Sequence, residues 1–170
     1  MELKQIIQEM DHLRDEMDKL RPIPEDRLNR LNQKLRLDWN YHSNSIEGNT
    51  LTASETRAFI LYGITAKGKP FRDYVEMKGH DQAIKKLEDI VHKDIQITEK
   101  LIQEIHKIIL VDPYDGESEI NPGEYKKQPN YLYSPEGEWI AFEPPGEVPR
   151  LMNELVNWLN NHIDPPKRKK

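Results

Sequence analysis

The sequence predicts a mainly α protein, a helical bundle that carries one β-hairpin. Three observations lead there. Apolar residues recur at spacings of three and four along most of the chain. The breaks between these stripes hold proline, glycine or hydroxyl-bearing residues, the usual helix starts and stops. One window alone, residues 121–145, changes to short aromatic runs around a turn.

Leu3, Ile6, Met10, Leu13, Met17 and Leu20 form an a/d seam over nearly three heptads, with charged residues elsewhere. The seam packs on the rest of the chain or on a second copy, and so short a repeat does not decide between them. Pro22 and Pro24 break this helix. Pro24 with Glu25 and Asp26 opens a second one, because proline suits the first turn and acids suit the positive end of the helix dipole. Its expected apolar face is Leu28, Leu31, Leu35 and Trp39, and its stop is Gly48-Asn49, two residues tolerant of the left-handed conformation. Thr52-Ala53-Ser54-Glu55 fits a capping box for a short helix ending at Gly63. Pro70 opens a helix over about residues 70–91, with Tyr74, Met77, Ala83, Ile84, Leu87 and Ile90 as candidate core. Thr98 caps the next, whose stripe is Leu101, Ile102, Ile105, Ile108 and Ile109, and Asp112-Pro113 closes it. Tyr131-Leu132-Tyr133 and Trp139-Ile140-Ala141-Phe142 flank the turn residues Ser134-Pro135-Glu136-Gly137, the pattern of a hairpin. Two strands alone are marginal in water, so the hairpin should lie against helices or await a partner strand. A last helix spans about 148–160, with Leu151, Met152, Leu155, Val156 and Leu159 inward.

Composition narrows the chemistry. With no cysteine in 170 residues, disulfides, thiolate zinc sites and cysteine nucleophiles are excluded. No apolar run approaches the length of a membrane span and the first residues do not form a signal peptide, so cytoplasmic residence without membrane binding is expected. A net charge of -5 argues against nucleic acid as a partner. The basic cluster Lys167-Arg168-Lys169-Lys170 reads as a solubilising terminus.

Few residues suggest catalysis. Glu76 and His80 stand four apart on one helix face and could share a metal ion, yet no further ligand accompanies them, and a surface pair is the simpler reading. His106 beside an apolar stripe reads as a hydrogen-bonded packing residue. Gly63, Gly68 and Gly79 are too scattered for a phosphate loop. Neither a catalytic residue nor a metal site is assigned. Ser43-Asn44-Ser45-Ile46-Glu47-Gly48-Asn49 differs from the rest. Ser43 and Glu47 share one face of a last helical turn, and a carboxylate at a helix C-terminus opposes the dipole, which calls for a compensating cation.

Ser43-x-x-x-Glu47-Gly48 matches the inhibitory motif [Ser/Thr]-x-x-x-Glu-[Gly/Asn] of the Fic family, and the run through Thr52 resembles Fic proteins with an N-terminal inhibitory helix. Gly79-His80-Asp81-Gln82-Ala83, Ile97-Thr98-Glu99 with Ile105-His106, Pro122-Gly123-Glu124-Tyr125-Lys126, and Phe142-Glu143-Pro144-Pro145 with Val148-Pro149 and Met152 resemble later family segments in the expected order. The resemblance covers about residues 24–160.

It implies an incomplete Fic helical bundle in which the hairpin is the family's flap. The expected divisions are an N-terminal helix (1–21), an inhibitory-helix region (22–52), the N-terminal part of a Fic domain (53–163, flap about 129–143) and a basic tail (164–170). Fic enzymes move AMP from ATP onto a protein hydroxyl through His-x-Phe-x-[Asp/Glu]-Gly-Asn-Gly-Arg, whose histidine is the base, whose acid holds a divalent metal, and whose glycine-rich turn binds phosphates. That motif is absent from this chain, and His162 is followed by none of it. ATP and Mg2+ are therefore expected only for a complete family member, and this chain is expected to be a truncated, inactive version. By the same resemblance Glu47 would pair with the motif's second arginine, Ser43 would brace its turn beside Gly48, and Asn130, Tyr131, Leu132, Tyr133, Trp139 and Ile140 would dock a target protein or simply pack on helices. Lys126 departs from the arginine of many relatives. The alternative is a free-standing, antitoxin-like inhibitor of a separate Fic subunit, and a homodimer through the seam stays open.

Overall fold

The structure, a computed structural model, describes residues 3–93, 95–110 and 121–162. In chain order come α1 (Leu3–Lys19), α2 (Glu25–Ile46), α3 (Ala53–Tyr62), α4 (Phe71–Lys93) and α5 (Glu99–Ile109). The strands β1 (Tyr131–Tyr133) and β2 (Trp139–Ala141), a 3-10 turn (Pro145–Glu147) and α6 (Val148–His162) follow. The protein is mainly α with one hairpin, as its periodicity predicts. No helix among the described residues is long and apolar enough to cross a membrane. The Asp112-Pro113 stop, residue 163 and the basic tail lie outside the described residues.

Helix α4 is the central pillar, with α2, α3 and α5 packed around it and α6 resting on α5. Leu51, Tyr74 and Met77 form the buried centre, joined by the half-buried Phe59 and Ile60. Leu37, Ala83, Ile84 and Val156 are also buried. The expected core of α4 is thus confirmed at Tyr74, Met77, Ala83 and Ile84, while Leu87 and Ile90 are half-buried.

Local signals translate directly into local structure. The Thr52 hydroxyl accepts from the Glu55 amide while the Glu55 carboxylate accepts from the Thr52 amide, a complete capping box. Gly63 ends α3 at φ 68°. Thr98 caps α5 by accepting from the Leu101 amide.

Long-range burial departs from expectation in three places. Leu28, Leu31, Leu35 and Trp39, the expected inner face of α2, are exposed, and the helix instead buries Leu37, Asn40 and Asn44. The reason is a buried acid on α4, Asp81, that recruits Asn40, while Asn44 donates to the Asn40 carbonyl and to Met77 Sδ. The α5 stripe is only half-buried, with Ile109 exposed, and Leu155 of α6 faces solvent. Finally, α1 touches no other described element, so its whole seam is exposed.

Gly79 is a point of close approach between α4 and α5. A Cβ there would lie 2.8 Å from the carbonyl oxygens of both Ile108 and Ile109. Backbone cannot yield as a side chain can. Gly79→Ala should therefore destabilise the chain by about 1–3 kcal/mol from overpacking, less about 1 kcal/mol of helix propensity regained. Urea unfolding checks this, and a midpoint at or above wild type would contradict it.

Candidate functional site

The end of α2 is fixed by its backbone before any side chain acts. Gly48, at φ 90°, turns the chain left-handed. The Gly48 amide donates to the Ser45 carbonyl at 3.1 Å and the Asn49 amide to the Asn44 carbonyl at 3.0 Å, a Schellman closure. Glu47 occupies the C-cap position at φ -82° and ψ 5°, and its own amide donates to the Ser43 carbonyl at 3.4 Å.

The following residues lock this turn onto α4. The Asn49 side chain is buried, donating to the Asp73 carbonyl at 2.9 Å and to Glu76 Oε2 at 3.2 Å, while its own Oδ1 accepts from the Leu51 amide. Asp73 Oδ2 accepts from both the Thr50 amide (2.8 Å) and the Thr50 hydroxyl (2.6 Å). Asp73 is 1% exposed, so these bonds are shielded from competing water. Lys69 closes the turn from outside by donating to the Thr50 carbonyl and pairing with Glu55 at 3.4 Å.

One turn further back, α2 is held by a second polar cluster. Arg36 grips Asp81 in a bidentate pair, Nε to Oδ1 at 2.6 Å and a second nitrogen to Oδ2 at 3.1 Å. Asn40 donates to the same carboxylate at 3.0 Å, and Lys85 pairs with it at 2.9 Å. The Nδ1–H of His80 donates to Asn40 Oδ1 at 2.9 Å. Burial pushes the Asp81 carboxyl up, but the hydrogen bonds and charges of Arg36 and Lys85 outweigh it and hold it below its ordinary value. Burial also depresses His80, against the opposing pull of Asp81, so its neutral form is favoured.

Glu47 itself is exposed, as are Ile46 and Gly48, while Ser43 is half-buried. No lysine or arginine among the described residues lies within ion-pair distance of Glu47, so the compensating cation is not supplied by them. The Ser43 hydroxyl makes no hydrogen bond to Glu47. The bracing falls instead to the Schellman closure, Asn49, Thr50 and Asp73.

The hairpin pairs Tyr131 with Ala141, Leu132 with Ile140 and Tyr133 with Trp139. Ser134 and Gly137, the latter at φ 89°, make its turn, and the Asn130 carbonyl accepts from the Phe142 amide at 3.1 Å. Its stem is anchored on α5. The Gly123 amide donates to His106 Nδ1 at 2.8 Å and the Tyr125 hydroxyl to Glu99 at 2.7 Å. Burial and the Glu99 carboxylate push the Tyr125 phenol up to about 12. His106 is thus hydrogen-bonded, though exposed. The strands themselves are exposed and touch no described helix. Of the two roles open for the aromatics, packing on helices is not the one adopted by the described residues.

The donor set does not fit a divalent ion. Glu76 is engaged by Asn49 and Arg72 and His80 by Asn40, and no three His, Asp or Glu side chains converge among the described residues. A cavity of about 420 Å³ lies between α3 and α4, lined by Phe59, Phe71, Tyr74, Lys78 and Gly79 among others, and neither Ser43 nor Glu47 lines it.

No family model matches the chain. It is similar to the protein adenylyltransferase Fic of Drosophila erecta, 34% identical over 128 residues, which cover 72% of this chain and 23% of that protein. The protein adenylyltransferase Fic of Aedes aegypti is 35% identical over 126 residues, 71% of this chain and 23% of that protein. Among solved structures, a Fic-domain signaling protein from Bacteroides thetaiotaomicron superposes with a TM-score of 0.82 at 34% identity, covering 94% of this chain and 58% of that one. A Fic protein from C. elegans gives 0.73 at 27% identity, covering 94% and 44%. The chain therefore spans under a quarter of the length of the curated relatives it matches.

Proposed function

Because the chain belongs to the Fic family, we propose that it is the regulatory and target-docking portion of a protein adenylyltransferase, autoinhibited through Glu47. The observation that carries this is a bare carboxylate on a rigid turn. Glu47 is exposed at a helix end whose dipole disfavours it, with no cation in reach among the described residues, while hydrogen bonds from Asn49, Thr50 and the turn backbone hold its main chain in place. Beside it Ile46 is 82% exposed, an apolar side chain that a covering segment would bury.

The segment with the matching chemistry is the Fic motif, which this sequence does not contain. Its second arginine would meet Glu47 and Ile46 instead of the γ-phosphate of ATP. A unit-charge pair near 4 Å contributes about 4 kcal/mol at an effective dielectric near 20, before desolvation. Roughly 1.4 kcal/mol already changes occupancy tenfold, so part of that energy suffices to misplace the triphosphate. ATP and Mg2+ would be held through that motif, whose phosphate-binding turn and metal-holding acid this sequence lacks. The flap completes the reading. Its exposed strand edges offer unpaired backbone groups to an extended target segment, while Tyr131, Tyr133 and Trp139 offer apolar contact.

Labelled ATP tests both halves. The 170-residue chain alone should transfer no AMP. Completed with the catalytic segment of the Bacteroides relative, it should transfer AMP weakly, and Glu47→Gly should raise the rate roughly tenfold or more. Transfer by the chain alone, or equal rates from the completed wild type and Glu47→Gly forms, would overturn the reading.

A further inference from the structure

We propose that α1 is a dimerisation element, pairing with α1 of a second copy of this chain as a parallel, in-register coiled coil. The proposal stands apart from the role of Glu47. A helix of 17 residues with no tertiary contact among the described residues is marginal in water, because helices of this length draw their stability from packing an amphipathic face. Its a and d residues are between 37% and 72% exposed, so the face is intact and uncovered.

Charge names the occupant. With Leu3, Met10 and Met17 at a and Ile6, Leu13 and Leu20 at d, the g positions hold Glu9 and Glu16 and the e positions hold Ile7, Arg14 and Arg21. A parallel, in-register pair sets each g residue against the e residue five places on in the other copy. That matches Glu9 with Arg14 inside α1, twice by symmetry, and brings Glu16 toward Arg21, which lies two residues past the end of α1. An antiparallel pair sets g against g and e against e, which opposes Glu9 to Glu16 and leaves Arg14 across from Ile7. Only the parallel arrangement turns every flanking charge to advantage.

Nothing local opposes the exchange. Among the described residues Glu9 forms no ion pair. Arg14 pairs with Asp11 and Asp15, Glu16 with Lys19 and Arg21 with Asp18, all through exposed bonds that are exchanged at little cost. Asp11, Asp15, Asp18 and Lys19 fall at b, f, b and c, outside the seam, and stay in water in either state.

Light scattering on the purified chain should return twice 20.1 kDa. Since the chain has no cysteine, Met17→Cys is a clean probe of direction. In the parallel pair it faces its own copy and cross-links under mild oxidation. In an antiparallel pair it faces Ile6, and the two sulfurs stand roughly 16 Å apart at 1.5 Å per residue. Glu9→Arg with Glu16→Arg should weaken the dimer about tenfold or more, as should Arg14→Glu with Arg21→Glu, and mixing the two variants should restore a heterodimer. The restored pairing excludes a folding defect. A mass of 20.1 kDa for the wild type, a dimer that Met17→Cys does not cross-link, or a dimer indifferent to both charge reversals would each overturn the proposal.

Discussion

Asp81→Ala should cost the chain about 3–5 kcal/mol of unfolding free energy, because it removes the acceptor from three donors and strands a half-buried guanidinium. Arg36, Asn40 and Lys85 all converge on this carboxylate, whose side chain is only 8% exposed. Losing it leaves the Asn40 amide and the Arg36 charge facing a hole on the α2–α4 seam. An exposed pair gives the contrast. Lys34 and Asp38 meet at 3.1 Å but in open water, so Asp38→Ala should cost under about 1 kcal/mol. Urea unfolding of the two variants side by side checks the claim. Equal midpoints would mean that the buried cluster does not hold α2 to the body.

Asp73→Ala should follow at about 2–4 kcal/mol, through the two Thr50 hydrogen bonds to its buried carboxylate that it removes, since a bond to a charged group contributes about 1.5–3 kcal/mol. The damage should be local as well as global. Hydrogen exchange at the Thr50 and Leu51 amides should accelerate while the amides of α5 keep their protection, as expected of a lock on one turn. Asp73→Asn keeps one acceptor oxygen and should recover most of the loss. If Asp73→Ala leaves exchange at Thr50 unchanged, the Schellman closure alone fixes the segment that carries Glu47.

How much of this was legible in the sequence depends on the reach of the interaction. The capping box at Thr52 and Glu55, the left-handed Gly63 and the Thr98 cap are decided within four residues, and the sequence states them openly. The hairpin is equally local, announced by its turn and its aromatic strands. The inner face of α2 was misread because it is decided 41 and 45 residues away, by Asp81, and buried asparagines do not look like core. Asp73 was missed for a related reason. An acid in the first turn of a helix has a sufficient explanation in the dipole, which hides its second task of holding Thr50, 23 residues earlier. Asn49 offered one usable signal, since an asparagine just past a helix end can serve the backbone on either side. The α1 seam was visible, and only the contacts of the folded chain showed that nothing within its described residues covers it.

The hairpin projects from the helices by a stem fastened at Tyr125 and His106, and its strands lean on no described helix. Amino-acid changes along Tyr131–Tyr133 and Trp139–Ala141 can therefore accumulate without penalty to the body. On the docking role proposed above, recognition and robustness would reside on separate stretches of polypeptide. If the hairpin docks targets as proposed, a lineage built this way would drift from one client protein to another by rewriting a handful of codons, with the scaffold behind them left untouched.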